Sequence, residues 1–246
     1  MKTVLLLAVV VTIASGFLPG GQIRLRDEDI SLIADMSRKL PGMLAPPKPN
    51  EDAIIVTSCI DTNWNACQYN FNAALGIDPT LTWRQADKLA DALNKVLATN
   101  VTQVVSVCND NTRFYQCLGT SYYDCMDLYR LIRLKNADFN EAFEYVQIYL
   151  QLQFMCNAGF EEVMKDYYCF TSLATTNSVL ACAQTFNQTA QQPGQLCNAV
   201  DQADQCLNAA YQSGCTTAEA GWWGCEEFRV AFDPTCYGLR CNVNHG

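Results

Sequence analysis

The feature that most constrains this chain is its cysteine usage: fourteen cysteines, all between Cys59 and Cys241. They are Cys59, Cys67, Cys108, Cys117, Cys125, Cys156, Cys169, Cys182, Cys197, Cys206, Cys215, Cys225, Cys236 and Cys241. An even count in an oxidising compartment reads as seven disulfides. Fourteen cysteines allow about 135,000 pairings, so sequence leaves the connectivity open. The rival reading is a thiolate metal site, which prefers close C-x2-C pairs because neighbouring sulfurs must reach one tetrahedral ion. No such pair occurs, and Cys236 and Cys241, the closest, have four residues between them. No metal, cofactor or catalytic thiol is therefore expected; the last needs an unpaired cysteine beside a base.

The oxidising compartment is supported by residues 1–16. Lys2 is followed by the apolar run Val4 to Ile13 and by the small residues Ala14, Ser15 and Gly16. That is the pattern of a secretory signal peptide, and the run is about half the ~20 residues a membrane span needs. Residues 17–50 hold no cysteine, a charge cluster from Arg24 to Asp29 and the proline-rich stretch Pro41 to Pro49, so they read as an N-terminal arm and linker. Ile23, Ile30, Ile33, Met36 and Leu40 give the arm a weak helical stripe, and Arg38-Lys39 raises the alternative of a propeptide. Residues 51–246 then form the cysteine-rich domain.

In that domain the apolar spacing is helical. Thr82-Trp83-Arg84-Gln85 fits a capping box for a helix over 82–98, with Ala86, Leu89, Leu93, Val96 and Leu97 on one face. Val101 to Cys108 is a second apolar run, and Met126 to Ile132 another apolar stretch. Asp138 to Glu141 is an acidic helix start; Ala142, Tyr145, Val146, Tyr149, Leu152 and Met155 follow, with Phe143 and Leu150 on the opposite side. A helix apolar on most of its circumference belongs at the centre, so 139–156 is the expected core helix. Phe160 to Tyr167 and Ala199 to Ala210 supply two more, the latter ending at Gly214 as a C-cap. Thr216 to Glu219 fits a capping box for a helix carrying Trp222, Trp223, Cys225 and Phe228, stopped before Pro234. Period-two alternation is almost absent. The expected fold is all-α: a disulfide-stapled bundle of roughly six helices. The triplets 108, 117, 125 and 197, 206, 215 suggest two degenerate repeats, with halves near 51–136 and 137–241.

Half of the chain is apolar, too much for disorder, and the formal charge of -9 offers no basic stripe for nucleic acid or an anionic membrane. The sole histidine is His245, next to the last residue; histidine triads are thereby disfavoured. A carboxylate hydrolase would have to use Glu161-Glu162 or Glu226-Glu227, and helix neighbours such as these point ~100° apart. Tyr145, Tyr149, Phe160, Trp222 and Trp223 read first as core, and alternatively as the lining of a cavity for an apolar ligand. Asn100-Val101-Thr102 and Asn187-Gln188-Thr189 are N-glycosylation sequons.

The stretch Gln153-Phe154-Met155-Cys156-Asn157-Ala158-Gly159, then Cys169, Cys182, Cys197, Cys206, Cys215 and the closing Phe228 to Cys236, carries a resemblance. Over about residues 100–241 it resembles the insect 27-kilodalton hemolymph glycoprotein family and a nematode family of secreted domains of unknown function. The resemblance implies secretion and glycosylation and brings no catalytic motif. The expected function is that of a secreted, non-enzymatic binding protein for a small apolar ligand or a protein partner. The alternatives are a matrix-type structural protein and, behind it, a carboxylate hydrolase.

Overall fold

The structure, a computed structural model, describes residues 59–242, with Ser31 besides. The expected signal peptide over 1–16, the expected arm over 17–50 apart from Ser31, with its stripe and Arg38-Lys39, and His245 lie outside the described residues. Among the described residues the regular elements are all helical. They are α1 (Asp61–Ala74), α2 (Ala86–Leu97), α3 (Val101–Leu118), the single turns α4 (Tyr122–Cys125) and α5 (Leu128–Leu131), α6 (Phe139–Met155), α7 (Phe160–Leu173), α8 (Asn177–Ala190), α9 (Leu196–Cys215) and α10 (Ala218–Val230). Two of them, α1 and α8, are additions to the helices read from periodicity.

Side-chain caps mark the starts of α3, α5, α6, α10 and the turn that leads into α2, whereas α1, α4, α7, α8 and α9 begin without one. Thr82 forms the expected capping box with Gln85, although its first turn, Trp83–Gln85, is a 3-10 turn that leads into α2. Asn100 caps α3 by accepting from the Gln103 N–H at 3.0 Å, and Asp138 caps α6 by accepting from Asn140 and Glu141. The cap of α10 is Thr217, whose hydroxyl accepts from the Ala220 N–H, one residue beyond the expected Thr216. Thr216 instead takes the left-handed conformation that ends α9, at φ 62°. Gly214 is therefore not the C-cap: α9 continues through it to Cys215. A Cβ at Gly214 would come within 2.5 Å of the Leu173 methyls, so the glycine serves the close approach of α7 that the Cys169–Cys215 bond fixes.

The expected core helix is the core helix. Twelve of the seventeen residues of α6 are buried, and it packs on α2, α3, α5, α7 and α10. The most extensive helix pairing is α9 with α10. It depends on small residues: a Cβ at Gly221 would stand 2.8 Å from the Asn208 carbonyl oxygen, and one at Gly224 would meet the Tyr211 ring. Because the obstacle at Gly221 is backbone, it cannot rotate away. Gly221→Val is expected to lower stability by about 1–3 kcal/mol, an overpacking cost, measured as a fall in the urea midpoint; an unchanged midpoint would mean that α9 and α10 part without cost.

All fourteen cysteines are paired. Cys59–Cys125, Cys67–Cys117 and Cys108–Cys156 form one set, and Cys169–Cys215, Cys182–Cys206 and Cys197–Cys236 a second. Numbered along the chain, each set joins its first cysteine to its fifth, second to fourth and third to sixth. The second cysteine of each set lies on α1 or α8, and the residues three before and four after it are buried in both: Trp64 and Phe71, Val179 and Phe186. The third and fourth lie on α3 or α9, and a buried leucine, Leu118 or Leu207, follows the fourth. The sixth follows α6 or α10. The expected two-unit organisation is thus present as a repeated bonding pattern, but its boundary is not at 136/137. Cys108 bonds to Cys156 and so draws α6 into the first unit. Cys225–Cys241, the seventh bond, falls outside the pattern.

Candidate functional site

The five residues considered as a ligand lining fall into different packing environments. Tyr145 and Tyr149 are buried on successive turns of α6. The Tyr145 hydroxyl accepts from Trp64 Nε1 at 2.9 Å and donates to Gln68 Oε1 at 2.6 Å; the Tyr149 hydroxyl donates to the same oxygen at 2.8 Å. Gln68 Nε2 passes the chain to Asn72 Oδ1, and Asn72 Nδ2 ends it on the carbonyls of Asp78 and Leu81. Burial pushes both phenols well above their ordinary range, so they stay neutral donors. Tyr149 also stacks on Phe114 at 4.7 Å, and Trp64 on Trp83 at 6.4 Å.

Trp223 belongs to another ring cluster. It stacks on Phe170 at 4.3 Å, and its Nε1 donates to the Gly159 carbonyl at 3.1 Å. Trp222, half-buried, meets the edge of Phe154, and Phe160 is half-buried against the core. These rings are packed into the core in two places, Tyr145 and Tyr149 in one and Trp222 and Trp223 in the other.

The acidic pairs are also divided by their surroundings. Glu226 accepts from Arg229 at 2.7 Å, and Arg229 reaches Asp233 as well. Its neighbour Glu227 is buried, and neither of its carboxyl oxygens has a hydrogen-bond partner. Burial holds its carboxyl well above the carboxylate range. Glu161 is exposed and Glu162 half-buried on the first turn of α7. Of the two sequon asparagines, Asn100 is the extended residue that caps α3, and Asn187 sits near the end of α8.

Two groupings are not among the sites read from sequence. One is a tyrosine cluster. Tyr115 on the last turn of α3 and Tyr122 and Tyr123 on α4 are brought together by Gly119, whose φ of 56° turns the chain back between them. The Tyr115 ring lies 4.8 Å from Tyr122 and 6.3 Å from Tyr123, and Tyr122 and Tyr123 are 5.5 Å apart. Tyr122 is buried underneath, whereas Tyr115 is 44% and Tyr123 56% exposed. A hydrogen bond to Tyr115 raises the Tyr123 phenol pKa. Cys117 and Cys125, bonded to Cys67 and Cys59, brace the segment at both ends. The pair Tyr122-Tyr123, seven residues beyond Tyr115, was the signal in the sequence.

The other grouping is Asp204 with Cys225 and Cys241. A carboxyl oxygen and the two sulfurs lie within 4.8 Å of one another. The sulfurs are bonded to each other, so they are not thiolates available to a metal. Nothing near Asp204 in sequence pointed to this contact, because α9 meets the C-terminal tail only in the fold. Compared with protein-family models, with curated proteins and with solved structures, the chain matches none of them.

Proposed function

We propose that the protein is a secreted, non-enzymatic binding protein that takes a protein partner on the tyrosine surface of Tyr115 and Tyr123. The observation that carries the reading is the exposure of these two rings on a disulfide-braced turn. Tyrosine supplies a large amphipathic contact area with few torsions to freeze, and rings fixed in advance lose little entropy on binding. Exposed aromatic groups of this kind are enriched at protein interfaces. The partner's chemistry follows from charge: the chain carries 25 acidic against 16 basic side chains, and ring faces attract guanidinium and ammonium groups. A basic, arginine-bearing surface is the complement.

Export is supported by the seven disulfides, a density that belongs to oxidising compartments. No helix among the described residues is long and apolar enough to cross a membrane. The test is binding to a displayed library of arginine-containing peptides by the wild-type protein and by Tyr115→Ala/Tyr123→Ala. Selected peptides are expected to lose at least about tenfold in affinity for the double variant, the loss of truncated interface anchors. Equal binding by both proteins overturns the reading, as does a small apolar ligand copurifying in native mass spectrometry, which would return the cavity.

A further inference from the structure

The disulfide Cys225–Cys241 differs from the other six in three ways. It lies outside the repeated bonding pattern, and it closes the shortest loop, with a sequence separation of 16 against 24 to 66 for the rest. A bond that closes a short loop removes the least entropy from the unfolded chain, so its loss costs the fold least. It is also the bond that the meeting of α9, α10 and the C-terminal tail places beside a buried acid. Asp204 is 3% exposed, its Oδ1 has no hydrogen-bond partner, and a carboxyl oxygen lies within 4.8 Å of both sulfurs.

We infer that Cys225–Cys241 is a thiol–disulfide exchange site, with Asp204 as its proton donor and acceptor and external thiols as its substrates. Cys241 is half-buried and Cys225 buried, so an incoming thiolate attacks Cys241 Sγ. A sulfur–sulfur bond forms between the external thiol and Cys241, the Cys225–Cys241 bond breaks, and Cys225 leaves with the electron pair. Asp204 passes its proton to that leaving sulfur, directly or through one water, and becomes a carboxylate. A second external thiolate then attacks the mixed disulfide. The products are an oxidised external disulfide, a Cys241 thiolate that takes its proton from solvent, and the Cys225 thiol. Two thiols are oxidised and one protein disulfide is reduced. In reverse, the Cys241 thiolate attacks the substrate disulfide and releases one substrate thiolate; the Asp204 carboxylate then takes the Cys225 proton, Cys225 attacks Cys241 Sγ of the mixed disulfide, the Cys225–Cys241 bond re-forms and the second substrate thiolate leaves.

Asp204 is suited to the donor role because burial raises its carboxyl to about 8. Arg229 on α10 opposes that shift, while Asp201 on its own helix, Glu226 on α10 and Asp233 beyond α10 add to it. The acid is therefore protonated at neutral pH, as thiolates begin to form. Exposure alone selects other bonds, since Cys117 and Cys197 are the exposed sulfur-bearing residues. The two explanations give opposite orders of reduction.

The experiment treats the folded full chain with graded reduced glutathione, traps free thiols with an alkylating agent and maps them by peptide mass spectrometry. The expected first product carries label on Cys225 and Cys241 alone, the other twelve cysteines remaining bonded. The rate, divided by the glutathione thiolate concentration, is expected to fall as pH rises through about 8, and to fall at least about tenfold at pH 7 in Asp204→Asn, where general acid catalysis is lost. The variant's rate per thiolate is expected to be flat with pH. First labelling at Cys117 or Cys197, reduction of all seven bonds together, or a wild-type rate per thiolate that does not change through pH 8 would each overturn the proposal. The wild-type profile needs no variant, so it decides the matter even if Asp204→Asn folds poorly.

Discussion

Gln68→Leu is expected to destabilise the protein by about 3–6 kcal/mol, as each buried polar group left without a partner costs about 1–3 kcal/mol. The volume of the side chain is nearly conserved, so the loss comes from hydrogen bonds. Gln68 Oε1 is the acceptor for both Tyr145 and Tyr149, and Gln68 Nε2 satisfies Asn72 Oδ1. Leucine removes all three bonds at once, and Gln68, Asn72, Tyr145 and Tyr149 are all buried. Tyr149→Phe alone costs less, about 1 kcal/mol, because Gln68 keeps Tyr145 as its donor. The double variant Gln68→Leu/Tyr149→Phe is expected to cost less than the sum of the two, since phenylalanine deletes one of the donors that leucine orphans. Urea unfolding of the four proteins gives the coupling. An additive cycle would show that the two side chains do not share a network, and a loss below about 1 kcal/mol for Gln68→Leu would show that the groups find other partners.

That network also marks where the sequence could be read and where it could not. The core helix was legible because its apolar residues cover most of a circumference, and the helix begun by Thr82 was legible from its capping pattern. Helices α1 and α8 were not. Their buried faces are short, Trp64, Cys67 and Phe71 on one and Val179, Cys182 and Phe186 on the other, and α1 buries the polar Gln68 and Asn72 beside its apolar residues. A periodicity argument scores such residues as surface, whereas in the fold Gln68 pairs with Tyr145 and Tyr149 more than seventy residues away, and Asn72 pairs with Gln68 and the carbonyls of Asp78 and Leu81. The number of disulfides followed from counting, but their pattern did not, because helices bring together cysteines 16 to 66 residues apart. The triplet spacing suggested a repeat and placed its boundary too early, since only the Cys108–Cys156 bond assigns α6 to the first unit. Of the candidate site residues, Tyr145 and Tyr149 on α6 lie in one ring cluster and Trp222 and Trp223 on α10 in another. Their two ring clusters depend on which helices face each other, which spacing within one helix does not encode.

Stability is expected to be greatest in mildly acidic solution and to fall as pH rises towards 8 and beyond. Asp204 and Glu227 are buried carboxyls whose folded-state pKa values are raised by desolvation, Asp204 to about 8 and Glu227 well above the ordinary range. In the unfolded chain both ionise near pH 4. Between those values the folded protein holds protons that the unfolded chain has released, so raising the pH favours unfolding. The stability contributed by the protonated pair is complete below about pH 4 and is lost progressively up to about pH 8 for Asp204 and to higher pH for Glu227. Each group supplies a slope of about 1.4 kcal/mol per pH unit within its window. Glu141 and Asp127, also raised by burial, act in the same direction, while Asp78, lowered by its hydrogen bonds to Thr80, acts in the opposite one. Asp204→Asn and Glu227→Gln imitate the protonated acids. Each is expected to flatten part of the dependence and to raise stability at pH 8 with little change at pH 4, Asp204→Asn by roughly 2–5 kcal/mol. Thermal unfolding of the wild type and both variants from pH 4 to pH 9 measures this. A wild-type Tm that climbs from pH 5 to pH 8 would show that water or a cation reaches these carboxyls and that they ionise in the folded protein.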